Sequence, residues 1–187
     1  MYIVIEGIDT AGKSTQLDIL RKKYPTALFT KEPGGTALGQ KIRQIALNGE
    51  AQSPLAEMFL FLADRAEHHH EVVLQNQDKM IISDRGFISG IAYAKDFDMQ
   101  TVIDLNLIAL DQQLPQKVIM LELSQEELEY RLSQKQQDGI ELRGIEYLMD
   151  IQHRMKHTIQ TLQIDALIID AKQSIQDIEK QIEDFIQ

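Results

Sequence analysis

The sequence predicts a three-layer α/β fold: a five-stranded parallel sheet covered by helices on both faces. Three observations carry that expectation. Apolar runs rich in Ile, Val and Leu recur along the chain, and stretches of helical periodicity separate them. The first run, Tyr2-Ile3-Val4-Ile5, leads straight into Glu6-Gly7-Ile8-Asp9-Thr10-Ala11-Gly12-Lys13-Ser14-Thr15. Within it, Gly7 through Ser14 spell G-x-x-x-x-G-K-[ST], and Gln16-Leu17-Asp18-Ile19-Leu20 continues as a helix. Strand, loop and helix in that order are the context a phosphate-binding P-loop requires, so the sheet is expected to be of the P-loop NTPase kind.

The spelling of the loop follows from its chemistry. Its glycines let backbone N–H groups turn inward around phosphate oxygens at the positive end of a helix. Lys13 can reach the β- and γ-phosphates, and the Ser14 hydroxyl can ligate Mg²⁺. The chain is therefore expected to bind a nucleoside triphosphate.

The remaining elements follow in order. Thr26-Ala27-Leu28-Phe29-Thr30 reads as the second strand, and Lys31-Glu32-Pro33-Gly34-Gly35-Thr36 breaks any regular pattern after it. A helix is expected from about Leu38 to Leu47, with Asn48-Gly49 as its stop. Ser53-Pro54 reads as an N-cap with proline at the first helical position. The helix it opens is expected to run to about Asn76, with Leu55, Met58, Phe59, Leu62 and Ala66 on its apolar face.

Met80-Ile81-Ile82-Ser83 is the third strand, ending in Asp84-Arg85-Gly86. Helical patterns occupy roughly 87–95 and 100–113, with Pro115 as the break. Lys117 to Leu123 is the fourth strand, and Ser124-Gln125-Glu126-Glu127 has the spacing of a capping box. The polar stretch from Gln134 to Gly144 reads as a mobile loop, and a helix is expected from about Ile145 to Leu162. Ala166-Leu167-Ile168-Ile169 is the fifth strand, and Ser174 caps a last amphipathic helix. No repeat or linker divides the chain, so residues 1–187 are expected to form one domain.

Composition narrows the function classes. Of the 187 residues 43% are hydrophobic and 26% charged, as in ordinary soluble proteins, and no apolar run approaches the length of a membrane span. No basic-then-apolar leader precedes the first strand and there is no cysteine, so a cytoplasmic location is expected, without membrane partners. A formal net charge of -10 argues against nonspecific nucleic-acid binding. Any phosphate site must then be a local basic pocket, which raises the interest of each arginine. Asp84 closes an apolar strand, where P-loop proteins place a carboxylate that holds Mg²⁺, often through water. His68-His69-His70 reads as a solvated helix face, since neighbours diverge around a helix and make a poor metal site.

Taken together, Glu6-Gly7-Ile8-Asp9 with the P-loop, Thr30 to Thr36, Phe61 with Asp64-Arg65-Ala66-Glu67-His68, and Asp84-Arg85 with Ala92-Tyr93 resemble the thymidylate kinase family, in its short bacterial form. The resemblance implies transfer of the ATP γ-phosphoryl group to dTMP, with Mg²⁺ held at Ser14 and Asp84. It assigns catalysis to Asp9, Lys13, Arg85 and Arg131. ATP is expected on Gly7, Ile8, Asp9, Thr10, Ala11, Gly12, Lys13, Ser14, Thr15, Arg131, Lys135 and Ala171. For dTMP the expected set is Asp9, Glu32, Pro33, Arg43, Phe61, Arg65, Arg85 and Tyr93. In that set Phe61 stacks on thymine, Arg65 donates to its edge, Tyr93 sits under the deoxyribose and Asp9 meets the 3′-hydroxyl. The stretch 134–144 becomes a lid over ATP, and a homodimer is implied.

The chain also departs from the family pattern. Lys31 stands where arginine is common, and Gly90 and Ala94 stand where Ser and Gln often help to read the base. In the lid, Ser133 and Gly139 replace arginines, and Arg143 lies beyond the usual place. Two other readings of the residues stay open. One is a kinase of the same fold with another nucleotide or nucleoside as acceptor, and the other is a nucleotide-binding switch.

Overall fold

The structure, a computed structural model, describes residues 1–134 and 144–187. Strand β1 (Tyr2–Glu6) is buried at every position and lies in the middle of a five-stranded sheet. It pairs in parallel with β3 (Ile81–Asp84) on one side and β4 (Lys117–Glu122) on the other. Strands β2 (Leu28–Lys31) and β5 (Ala166–Asp170) form the two edges, giving the order β2-β3-β1-β4-β5. Both faces of the central strands are covered, which is why these segments are unbroken runs of aliphatic residues.

The register decides where a ligand can sit. Ile5 lies opposite Asp84, and Asp84 lies opposite Lys31, so β1, β3 and β2 end level with one another. The chain leaves β1 toward one edge of the sheet and leaves β3 toward the other. The crevice between such diverging connections is where open parallel sheets bind ligands.

Among the described residues, eight α-helices connect and cover the strands: α1 (Lys13–Lys23), α2 (Ala37–Leu47), α3 (Pro54–His68), α4 (Phe87–Tyr93), α5 (Met99–Ala109), α6 (Gln125–Ser133), α7 (Ile145–Thr161) and α8 (Ile175–Ile186). Helix α1 packs on α8, whereas α4 packs on α3, α5 and α7. Several starts carry the caps that their sequences announce. Ser124 Oγ accepts from Glu127 N at 3.2 Å and Ser174 Oγ accepts from Asp177 N at 3.1 Å. Among the described residues, no helix is long and apolar enough to cross a membrane.

Some expectations are corrected. Strand β2 begins at Leu28, because Ala27 N closes a turn on Tyr24 O at 3.0 Å. The patterns over 87–95 and 100–113 are helices Phe87–Tyr93 and Met99–Ala109. Ser53 does occupy the cap position of α3, but its side chain makes no capping bond. The long helix to Asn76 stops being α-helical after His68 and passes through a π-helical turn, His69–Val73, and a 3₁₀ turn, Leu74–Asn76. The wider turn changes which residues face inward. His68 and His69 are both buried and only His70 is exposed, so the solvated-face reading of the histidines fails.

The expected apolar face of α3 fails too. Met58 is buried and Leu62 half-buried, whereas Leu55, Phe59 and Ala66 are exposed. The helix turns Asp64, Arg65 and His68 inward instead, and buried polar partners there supply what apolar contacts would have.

Candidate active site

The ends of β1, β2 and β3 enclose a cavity of about 420 Å³, lined by Asp9, Thr10, Gly12, Lys13, Ser14, Lys31, Glu32, Arg43, Asp84 and Arg85. Four of these are lysines or arginines, against the three carboxyl groups of Asp9, Glu32 and Asp84, in a chain whose formal net charge is -10. This is the local basic pocket that an acidic phosphate-binding protein needs.

Its floor is the P-loop. Gly7 has φ +144°, and a β-carbon there would lie 2.7 Å from Leu121 O, so only glycine lets the loop leave β1 against β4. Ile8 and Ala11 are buried and seat the loop on the core, while Ser14 and Thr15 stay exposed at the start of α1. Lys13 Nζ donates to Gly7 O at 2.8 Å and to Ile8 O at 3.0 Å. Burial and then the neighbouring Arg85 charge lower its pKa to about 7. Thr10 is a β-branched residue at φ +67°, a strained conformation of the kind that collects at functional loops.

The opposite wall comes from the end of β3. Arg85 Nη1 donates to Gly7 O at 3.0 Å and to Ser89 Oγ at 3.1 Å, and Nη2 pairs with Asp9. Its guanidinium carbon lies 5.8 Å from the centre of the Tyr93 ring. Among the described residues the buried Tyr93 hydroxyl has no hydrogen-bond partner, and burial pushes its pKa up to about 12. Asp84 Oδ1 is likewise buried with no partner among the described residues. An orphaned carboxylate oxygen beside Ser14 and the phosphate loop suits a hydrated divalent cation, so these residues fit Mg²⁺.

The third wall belongs to β2 and the loop after it. Arg43 reaches across from α2 and donates to Pro33 O at 3.2 Å. Glu32 is buried between Arg65, whose Nε donates to Oε2 at 2.9 Å, and His68, whose Nδ1 lies 3.0 Å from Oε1 but poorly aligned for a hydrogen bond. Burial pushes the Glu32 carboxyl up, but Arg65 and His68 outweigh it and the net shift is downward. His68 Nε2 shares a 2.8 Å hydrogen bond with Thr30 Oγ1, which ties α3 to β2. Arg65 Nη1 also donates to Asn106 Oδ1 on α5.

The predicted residues thus fall into groups. Asp9, Lys13, Ser14, Glu32, Arg43, Asp84 and Arg85 share the cavity, and Tyr93 stands behind Arg85. Arg65 and Phe61 lie farther back on α3, with Arg65 buried and Phe61 half-buried. Arg131 stands on the other side of the P-loop: Nη1 donates to Thr10 O at 3.0 Å and Nη2 to Ala171 O at 2.6 Å. It thereby joins the loop to the turn after β5. Lys135, Gly139 and Arg143, and with them most of the expected lid, lie outside the described residues.

Sequence reasoning missed Asn106 and Ser89 as members of this site. Asn106 had a signal, being the polar residue in the otherwise apolar stripe Val102, Ile103, Asn106, Leu110. Ser89 had none.

Comparison with known proteins supplies the family. The thymidylate kinase family model matches residues 5–182. A thymidylate kinase of Aliarcobacter butzleri is 61% identical over 186 residues, covering 100% of this chain and 98% of the relative. One from Wolinella succinogenes is 52% identical, covering 97% of this chain and 96% of the relative. In fold, the chain is similar to the crystal structure of thymidylate kinase from Ehrlichia chaffeensis, with a TM-score of 0.79 and 22% identity over 100% of this chain and 98% of that one. The chain belongs to the thymidylate kinase family.

Proposed function

We propose that this chain transfers the γ-phosphoryl group of ATP to dTMP, giving dTDP and ADP. The observation that carries this reading is that P-loop cation and acceptor-side cations share one cavity: Lys13 on the floor, Arg43 and Arg85 on the walls. A nucleotide switch needs only the first of these. With two phosphate groups drawn together, an oxygen of the dTMP phosphate attacks the γ-phosphorus and the bond to the ADP oxygen breaks. No general base is needed, because the acceptor oxygen is already anionic. Lys13 and Arg85 neutralise the charge that spreads over the moving group. Mg²⁺ bound with ATP, held at Ser14 and by Asp84 through water, would add to that neutralisation.

The same reading gives the other residues their work. Gly7, Ile8, Thr10, Ala11, Gly12 and Thr15 offer loop groups to the ATP phosphates, while Arg131, Lys135 and Ala171 belong to the ATP side. Glu32 and Pro33 form the acceptor wall, and Asp9 meets the 3′-hydroxyl. Phe61 stacks on thymine, and Arg65 donates to its O4, where cytosine would present a donor instead. Tyr93 fills the place a 2′-hydroxyl would need. The stretch 134–144 serves as the lid of one domain, excluding water from the transfer. We further infer a cytoplasmic homodimer without nucleic-acid or membrane partners; the exposed stripe Leu55, Phe59, Ala63 and Ala66 on α3 supports the dimer.

The test is the initial rate of ADP release with a panel of nucleoside monophosphates and thymidine. The expected result is efficient turnover with dTMP and much weaker turnover with dCMP and the ribonucleotides. Preference for another acceptor, or release of ADP independent of any acceptor, would overturn the reading.

A further inference from the structure

Strand β1 is apolar until its last residue, Glu6, whose side chain is fully buried. An acid placed there is costly unless its oxygens are satisfied. They are satisfied entirely by the segment after Asp84-Arg85. Oε1 accepts from Gly86 N at 3.0 Å and from Ser89 N at 3.1 Å, and Oε2 accepts from the Ser89 hydroxyl. Burial raises the Glu6 pKa, and the Ser89 donors and Arg85 oppose that rise.

A serine hydroxyl has one proton to give. Here it goes to Glu6, which leaves the lone pairs of Ser89 Oγ facing Arg85 Nη1, 3.1 Å away. Glu6 therefore dictates that Ser89 is an acceptor toward the guanidinium. Arg85 itself sits at φ +65°, held by Arg85 N donating to Ile5 O at 2.9 Å and by Ser83 Oγ donating to Arg85 O at 2.7 Å. Of its side-chain partners, Asp9 faces the cavity, whereas Gly7 O and Ser89 are fixed parts of the wall.

We propose that Glu6 is a positioning residue for phosphoryl transfer, acting through the Ser89 hydroxyl to aim the Arg85 guanidinium at the acceptor phosphate. This rests on the reading of Arg85 given above. When Asp9 turns to the acceptor's sugar, Glu6 and Ser89 keep Arg85 from following it.

Glu6→Gln tests this with little change of shape. The new amide donates to Ser89 Oγ, so the serine proton must turn toward Arg85 and donor meets donor. Ser89→Ala removes the intermediary. Each variant should lower kcat/KM for dTMP roughly ten- to a hundredfold, as loss of a buried charged hydrogen bond does. ATP affinity, titrated with a fluorescent ATP analogue, should stay within about twofold of wild type. On an Arg85→Ala background neither substitution should do further harm. Wild-type efficiency in Glu6→Gln, equal losses for ATP and dTMP, or full additivity with Arg85→Ala would each overturn the inference. If thermal melting shows Glu6→Gln to be unfolded, Ser89→Ala decides by the same readings. Should Arg85→Ala itself keep wild-type efficiency, the Arg85 reading fails and takes the inference with it, an outcome distinct from the others.

Discussion

Arg65, a residue only 3% exposed, needs partners for its donors inside the protein, and it gives Nε to Glu32 and Nη1 to Asn106. The Asn106 amide is fixed in turn, since its Nδ2 donates to Val102 O at 2.7 Å and so directs Oδ1 at Arg65. The space for this arrangement comes from Gly90: a β-carbon there would lie 2.6 Å from Arg65 Nη1. In the sequence Gly90 reads as a missing helper for base recognition. In the structure it leaves the room that the Arg65 guanidinium occupies beside α4. Gly90→Ser should lower the melting temperature despite its gain in helix propensity, and lower efficiency on dTMP at least tenfold, by displacing Arg65 from Glu32 and Asn106. Steady-state kinetics beside a melting curve checks both halves; unchanged efficiency would mean that Arg65 relocates freely and the packing is incidental. Lys13, Ser14, Asp84 and Arg85 were legible because a motif or a strand end marks them. The partners that hold Arg85 and Arg65 were not, because a hydrogen bond between residues distant in sequence leaves no local pattern.

At the scale of elements, the passage from α3 into the π-helical turn shows where periodicity misleads. A pattern of period 3.6 cannot register the wider turn, so residues 54–76 read as one helix. The turn buries His69, and neither ring nitrogen has a hydrogen-bond partner among the described residues. Burial lowers its pKa below the ordinary histidine value of about 6.5. The sign of the consequence is fixed. A folded-state pKa below the unfolded one means that the unfolded chain binds more protons in the window between them. The neutral His69 therefore costs no protonation energy above about pH 6.5, and stability is lost as pH falls through the folded-state value. His69→Phe should flatten the fall of melting temperature between about pH 7 and 5, and should raise the melting temperature at the acid end. Parallel melting-temperature profiles for the two proteins would refute this. By contrast, the strand segments and the caps at Ser124 and Ser174 were readable, because aliphatic runs and cap spacings are local signals that packing reinforced.

Seen whole, a chain of formal net charge -10 gathers Lys13, Lys31, Arg43 and Arg85 in a crevice at whose rim the sheet order places three strand ends. The fold class was legible because P-loop context and alternating elements leave few topologies, and the chain adopted one of them. What a single chain could not tell is why α3 leaves Phe59 51% exposed beside Leu55, Ala63 and Ala66. If a second copy covers that stripe, Phe59→Asp should shift the mass seen by light scattering from dimer to monomer, while dTMP turnover per chain changes less than the mass does. A wild-type protein that is monomeric at micromolar concentration would refute the dimer. The account stands or falls on direct passage of one phosphoryl group between two nucleotides in that crevice. The measurement that tests it follows ATP labelled at the γ-phosphorus across the panel of acceptors, in wild type and in Lys13→Ala. The label should appear in dTDP with dTMP as acceptor, with little in inorganic phosphate, and Lys13→Ala should slow its appearance by orders of magnitude. Label accumulating in inorganic phosphate, or in another diphosphate in preference to dTDP, would contradict it.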